Sequence, residues 1–137
     1  MARDSAGSLY GTTLLGGLTG QGYGVVFKLD SDGTETVLHT FTGGRDGDYP
    51  YSGLVMDAAG NLYGTTFGGG RGFGDNGQGV VFEVDAAGTE TVLPTFSGSA
   101  GGRRPKAGLI RGPQGVLYGA TQTGGSEGNG VIFELVP

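Results

Sequence analysis

The sequence predicts an all-β protein built of repeated four-stranded antiparallel blades, the arrangement of a β-propeller, on three observations. The first is a phrase that occurs three times: Asp4-Ser-Ala-Gly-Ser-Leu-Tyr-Gly-Thr-Thr13, Asp57-Ala-Ala-Gly-Asn-Leu-Tyr-Gly-Thr-Thr66 and the looser Gly112-Pro-Gln-Gly-Val-Leu-Tyr-Gly-Ala-Thr121. Its tyrosines stand at 10, 63 and 118, a period of 53 and then 55 residues, which marks a repeat architecture. The second is that the apolar runs are short and bounded by Gly, Pro, Asn or Asp, with no long segment of 3.6-residue period, so strands are expected and no helix of consequence. The third is that the 33 glycines fall at repeated places between those runs, which makes them turn residues rather than a sign of disorder.

The middle unit shows every element of a blade. Strand A is Ser52-Gly-Leu-Val-Met56, strand B is Asn61-Leu-Tyr-Gly-Thr-Thr66, strand C is Gly79-Val-Val-Phe-Glu-Val84 and strand D runs from Thr89 to Phe96. A to B and C to D are joined by Asp57-Ala-Ala-Gly60 and Asp85-Ala-Ala-Gly88, a compact hairpin form in which Asp bonds its own backbone and Gly supplies a positive φ. Strand D carries Gly33-Thr-Glu-Thr-Val-Leu38 in one copy and the same hexapeptide, Gly88 to Leu93, in the next, followed by His39 and Pro94 respectively. Proline cannot donate to a central ladder, so D is expected at the outer edge and A innermost. Glycine in the middle of strand B, at 11, 64 and 119, implies close packing there, read as packing beside Tyr10, Tyr63 and Tyr118 between blades.

Blade 1 is expected at about 1–42, blade 2 at about 51–97 and blade 3 at about 107–137, the first with only a stub of A and the third without D. Three blades leave two apolar sheet faces uncovered, and a ring needs about four blades to close. Self-association is the expected remedy, with two chains giving six blades or three giving nine, and a homodimer is the expectation. A folded, soluble monomer would argue instead for a curved sandwich.

A net charge of -5 argues against nucleic acid or an anionic membrane as partner. The absence of cysteine removes disulfides, thiolate nucleophiles and thiolate zinc sites. No apolar run reaches membrane-spanning length, and Met1-Ala-Arg-Asp4 leads straight into the repeat, so no membrane span, export signal or anchor is expected in this chain.

Antiparallel order gathers the B-to-C and D-to-A loops at one end of every blade, where function resides when loops ride on a rigid scaffold. That face collects Arg45, Asp46, Asp48, Asp75, Asn76, Glu127 and the basic run Arg103-Arg-Pro-Lys106, the last read as a solvated loop. Asp46, Asp48 and Asp75 are hard oxygen ligands of the kind Ca²⁺ takes, although their spacing is not that of an EF-hand and turn formation explains the same residues. Gly124-Gly-Ser-Glu-Gly128 has the written form of a nucleophile elbow but lies in a hairpin loop, and the lone histidine, His39, is on an outer strand. A Ser-His pair is therefore not expected.

The phrases Leu-Tyr-Gly-Thr-Thr, Gly-Val-Val-Phe-Lys-Leu, Gly-Thr-Glu-Thr-Val-Leu and Gly-Val-Ile-Phe-Glu-Leu resemble those of the bacterial tandem-repeat proteins called GloVer-repeat proteins. The likeness runs over essentially the whole chain. It implies a β-propeller, in proteins that are exported or surface-anchored and of no settled biochemical role, and it transfers no catalytic residue. The function expected is a scaffold or binding module presenting loops to a small molecule, a glycan or a partner protein. The alternative is a small Ca²⁺-dependent hydrolase of esters or lactones, with Asp46, Asp48 and Asp75 around the channel mouth.

Overall fold

The computed structural model describes residues 1–17, 22–71, 77–93, 96–98 and 100–137. Strands β1 (Ala2–Arg3), β2 (Leu9–Thr13), β3 (Val25–Leu29) and β4 (Glu35–Thr40) form one antiparallel sheet in that order. Strands β5 (Val55–Met56), β6 (Leu62–Thr65), β7 (Val81–Val84) and β8 (Glu90–Val92) form the second, and β9 (Ile110–Arg111), β10 (Leu117–Ala120) and β11 (Ile132–Leu135) the third. Each sheet follows chain order from A to its outermost strand, as blades of a propeller do. The inner strands β1 and β5 are where the first two sheets approach most closely. Strand A is shorter than the sequence suggests, and Pro94, on which the edge argument for D turned, lies outside the described residues. The helical structure among the described residues is one 3₁₀ turn at Pro113–Gly115.

The repeated phrase is legible residue by residue. Asp57 Oδ1 accepts from the backbone N–H of Ala59 and Asn61 at 2.8 and 2.9 Å, and its carbonyl accepts from Gly60, whose φ is +90°. Gly is there because an L side chain is strained at that angle. The threonine that ends the phrase closes the far end of strand B in every sheet. Thr13, Thr66 and Thr121 accept from the N–H of Val25, Val80 and Val131 at 3.2, 3.2 and 3.0 Å and donate to a carbonyl two residues on.

The strand glycines are places of close approach, but the ring they admit is not the neighbouring tyrosine. A Cβ on Gly64 would lie 2.5 Å from Cζ of Phe82, its cross-strand partner, and 2.8 Å from Cδ2 of Leu54. Gly11 and Gly119 stand in the same way beneath Phe27 and Phe133. Side chains alternate along a strand, so Tyr63 points to the opposite face. There it joins Val81, Phe96, Leu109 and Leu117 in the core between the second and third sheets. A matching core of Val26, Phe41, Leu54, Leu62, Val80, Phe82 and Val84 lies between the first and second. An aromatic edge contact spans each junction, Phe41 to Phe82 at 5.1 Å and Phe96 to Phe133 at 5.0 Å. Such tilted pairs add to the area they bury.

Candidate functional site

The strand order puts the Asp-x-x-Gly turns at one end of the sheets and the B-to-C and D-to-A connections at the other. At the loop end, each D-to-A segment stitches two B-to-C loops together through its backbone. Tyr49 donates to the carbonyl of Tyr23 at 3.0 Å and accepts from Phe67 at 3.1 Å, and Arg104 does the same between Gln78 and Gln122 at 2.8 and 3.1 Å. Both residues have a positive φ, 52° and 58°. Two loops of unlike sequence thus take the same path, which fixes the positions of the side chains that follow them.

Those side chains form a cluster that the sequence reading did not assemble. Tyr51, two residues after Tyr49, meets Phe67 edge to face at 5.4 Å. Lys106, two residues after Arg104, places Nζ 5.1 Å from the centroids of both rings, and the Arg104 guanidinium lies 5.3 Å from that of Phe67. Tyr51 is 50% exposed. Beside it, Met1, Thr12, Leu14, Pro50, Ser52 and Gly53 complete the lining of a cleft of about 350 Å³. The basic run is therefore not simply a solvated loop: Arg104 and Lys106 lie over rings, and Arg103 Nε donates to Thr123 Oγ1 at 3.2 Å. The signal that could have found the cluster is the shared proline, since Pro50 and Pro105 set Tyr51 and Lys106 at one place in the repeat.

Of the acidic residues singled out as calcium ligands, Asp46 caps its own turn. Its carboxylate accepts from Thr42 N–H at 2.8 Å and from Thr42 Oγ1 at 2.6 Å, and it faces His39 Nε2 at 3.4 Å. Asp48 is fully buried, with its backbone bridged to Gly68, and Asp75 lies outside the described residues. No group of three His, Asp or Glu side chains among the described residues converges on a point where a cation could sit. Burial pulls the His39 imidazole below its ordinary range, against the opposing influence of Asp46, while burial and the Asp46 charge push the Glu90 carboxyl up to about 7. Ser126 lies in a loop of the third sheet and His39 on β4 of the first.

No protein of curated function matches the chain. A crystal structure described, by family, as a gluconolactonase superposes with a TM-score of 0.54 at 19% identity, over 99% of this chain and 47% of that one. The chain thus spans about half the length of that structure, and the likeness is one of fold. The sequence profile described as the Gloeobacter/Verrucomicrobia repeat matches residues 1–137, the same blades that the strands trace. With three antiparallel sheets in propeller order and that repeat running from end to end, the chain belongs to the Gloeobacter/Verrucomicrobia repeat family.

Proposed function

We propose that this chain is a non-enzymatic propeller module that binds an acidic glycan on its loop face, and that two copies complete a six-bladed ring. The observation that carries the reading is the pairing of two aromatic rings with the cations of Arg104 and Lys106 beside an open cleft. A half-exposed tyrosine ring offers a flat apolar surface for the C–H face of a sugar, and a neighbouring ammonium receives its carboxylate. The local positive charge on a chain of net charge -5 gives the site its selectivity. The test is titration with galacturonate oligosaccharides against neutral glucose oligosaccharides. The acidic series is expected to bind, about tenfold more weakly to Lys106→Ala. Equal binding of both series, or binding untouched by Lys106→Ala and Tyr51→Ala, would refute it.

A second reading, favoured by the likeness to a structure described as a gluconolactonase, is hydrolysis of an ester or lactone with Ca²⁺ held by Asp46, Asp48 and Asp75. Water would add to the carbonyl and the acyl C–O bond would break, leaving a hydroxy acid from a lactone, or a carboxylic acid and an alcohol from an ester. Asp46 already serves Thr42 and Asp48 is buried, so a cation must compete with the fold for both, which places this reading second. Turnover of a lactone panel that a chelator abolishes would raise it to first.

A further inference from the structure

Because the sheets repeat, a residue's burial can be compared with that of its counterparts in the other two. One place in strand C is Val26, Val81 and Ile132 in successive sheets. Val26 is 0% exposed and Val81 1%, each covered by the sheet that follows, whereas Ile132 is 86% exposed. The same holds on strand A: Ala2 and Val55 pack against the two cores, while their counterpart Ile110 is 67% exposed. Ile110, Ile132 and Tyr118 line a shallow apolar groove of about 270 Å³ across the third sheet.

The first sheet has the opposite deficit. Leu54 and Leu109 press against Gly64 and Gly119 and are 5% and 4% exposed; Met1 stands in the same way beside Gly11 and is 72% exposed. Leu9 and Phe27 are only partly buried where their counterparts Leu62 and Phe82 are fully so. The chain therefore carries one uncovered face of each kind that its two internal junctions already join.

We propose that the third sheet of one copy docks head to tail on the first sheet of a second copy, seating Ile110, Tyr118 and Ile132 against the partner's Met1, Leu9 and Phe27. The proposal rests on the self-association stated above and assigns its faces. The occupant is a second copy because the junction continues an interface that the chain makes twice within itself, and because a head-to-tail contact that returns on itself after two copies forms a closed ring. Arg3, exposed on the first sheet, and Glu134, exposed on the last, bring opposite charges to the two sides. On the third sheet the isoleucines and Tyr118 carry the contact.

Light scattering at about 100 µM, with circular dichroism as the control of folding, tests it. The wild type is expected at twice the chain mass. Ile132→Asp, at a residue whose exposure leaves the single chain undisturbed, is expected at the chain mass with an unchanged spectrum. Leu9→Asp is expected to do the same, and the two variants mixed are expected to associate one to one through their remaining intact faces. A wild-type dimer that survives Ile132→Asp overturns the faces while leaving self-association standing. Loss of the dimer in Ile132→Asp but not in a folded Leu9→Asp means that the third sheet pairs with itself, and also overturns the proposal. A wild-type monomer overturns both this proposal and the ring.

Discussion

The hydroxyl of Tyr63 donates to Asp57 Oδ2 at 3.1 Å, tying the tyrosine between the second and third sheets to the carboxylate that folds the preceding turn. Tyr10 and Asp4 make the same bond at 3.0 Å in the first sheet. In the third sheet glycine replaces the aspartate, and the Tyr118 ring closes over it: a Cβ on Gly112 would lie 2.6 Å from Cε2. Partial burial would raise the Asp57 pKa, but the bonds from Asn61 and Tyr63 outweigh it and the net shift is downward.

Asp57→Ala is expected to destabilise by about 1–2 kcal/mol, since four donors lose a charged acceptor at a partly exposed site. The lowered pKa means that the wild type keeps this stabilisation above the unfolded carboxylate's titration range and loses it as pH falls through the folded value. Urea midpoints at pH 7 and pH 3 are expected to show a large difference between variant and wild type at the first and a small one at the second.

Gly64→Ala is expected to destabilise by about 1–3 kcal/mol, because the new methyl overlaps Phe82 and Leu54 in a packed core. Thermal melts of Gly64→Ala with and without Phe82→Leu check the cause, and the smaller side chain is expected to recover part of the loss.

How much was legible follows from which residues repeat. Asp57, Gly60, Tyr63, Gly64 and Thr66 recur in more than one unit, and each has a local reason: a turn, a positive φ, a junction, a close approach, a strand end. Fold and blade order could therefore be read. The ring over Gly64 was misassigned to Tyr63 because adjacency along a strand means opposite faces, and the true neighbour, Phe82, is across the ladder. Of the cluster at Tyr51 and Lys106 only the shared place after Pro50 and Pro105 was legible; that a ring and an ammonium meet there was not, because the two residues do not share a chemistry. Asp46 read as a possible ligand because nothing local reveals that Thr42 already uses it.

Phe41→Leu and Phe82→Leu are expected to be coupled. In a double-mutant cycle the edge contact at 5.1 Å should give an interaction of about 0.5–1.5 kcal/mol. A cycle on Phe41 and the distant Phe133 should give none.

Glu90 titrates at about 7 in the fold, raised by burial first and by Asp46 second, so the folded state binds more protons than the unfolded between the ordinary glutamate range and neutrality. The contribution of Glu90 to stability is expected to fall as pH rises through that window. Glu90→Gln should remove that fall, leaving the rise with pH that the lowered His39 pKa contributes, and be the more stable protein at pH 8, by on the order of 1 kcal/mol after allowance for solvent screening. Melting temperatures across pH 5 to 8 give the answer.

The most direct measurement is backbone amide shift mapping of the ¹⁵N-labelled protein during titration with a galacturonate oligosaccharide. Saturable shifts confined to the loop end, centred on Tyr51, Phe67, Arg104 and Lys106, are expected. Shifts centred instead on the Asp-x-x-Gly turns at Asp57 and Asp85, at the opposite end of the sheets, or no saturable shifts at all, would contradict the proposed binding.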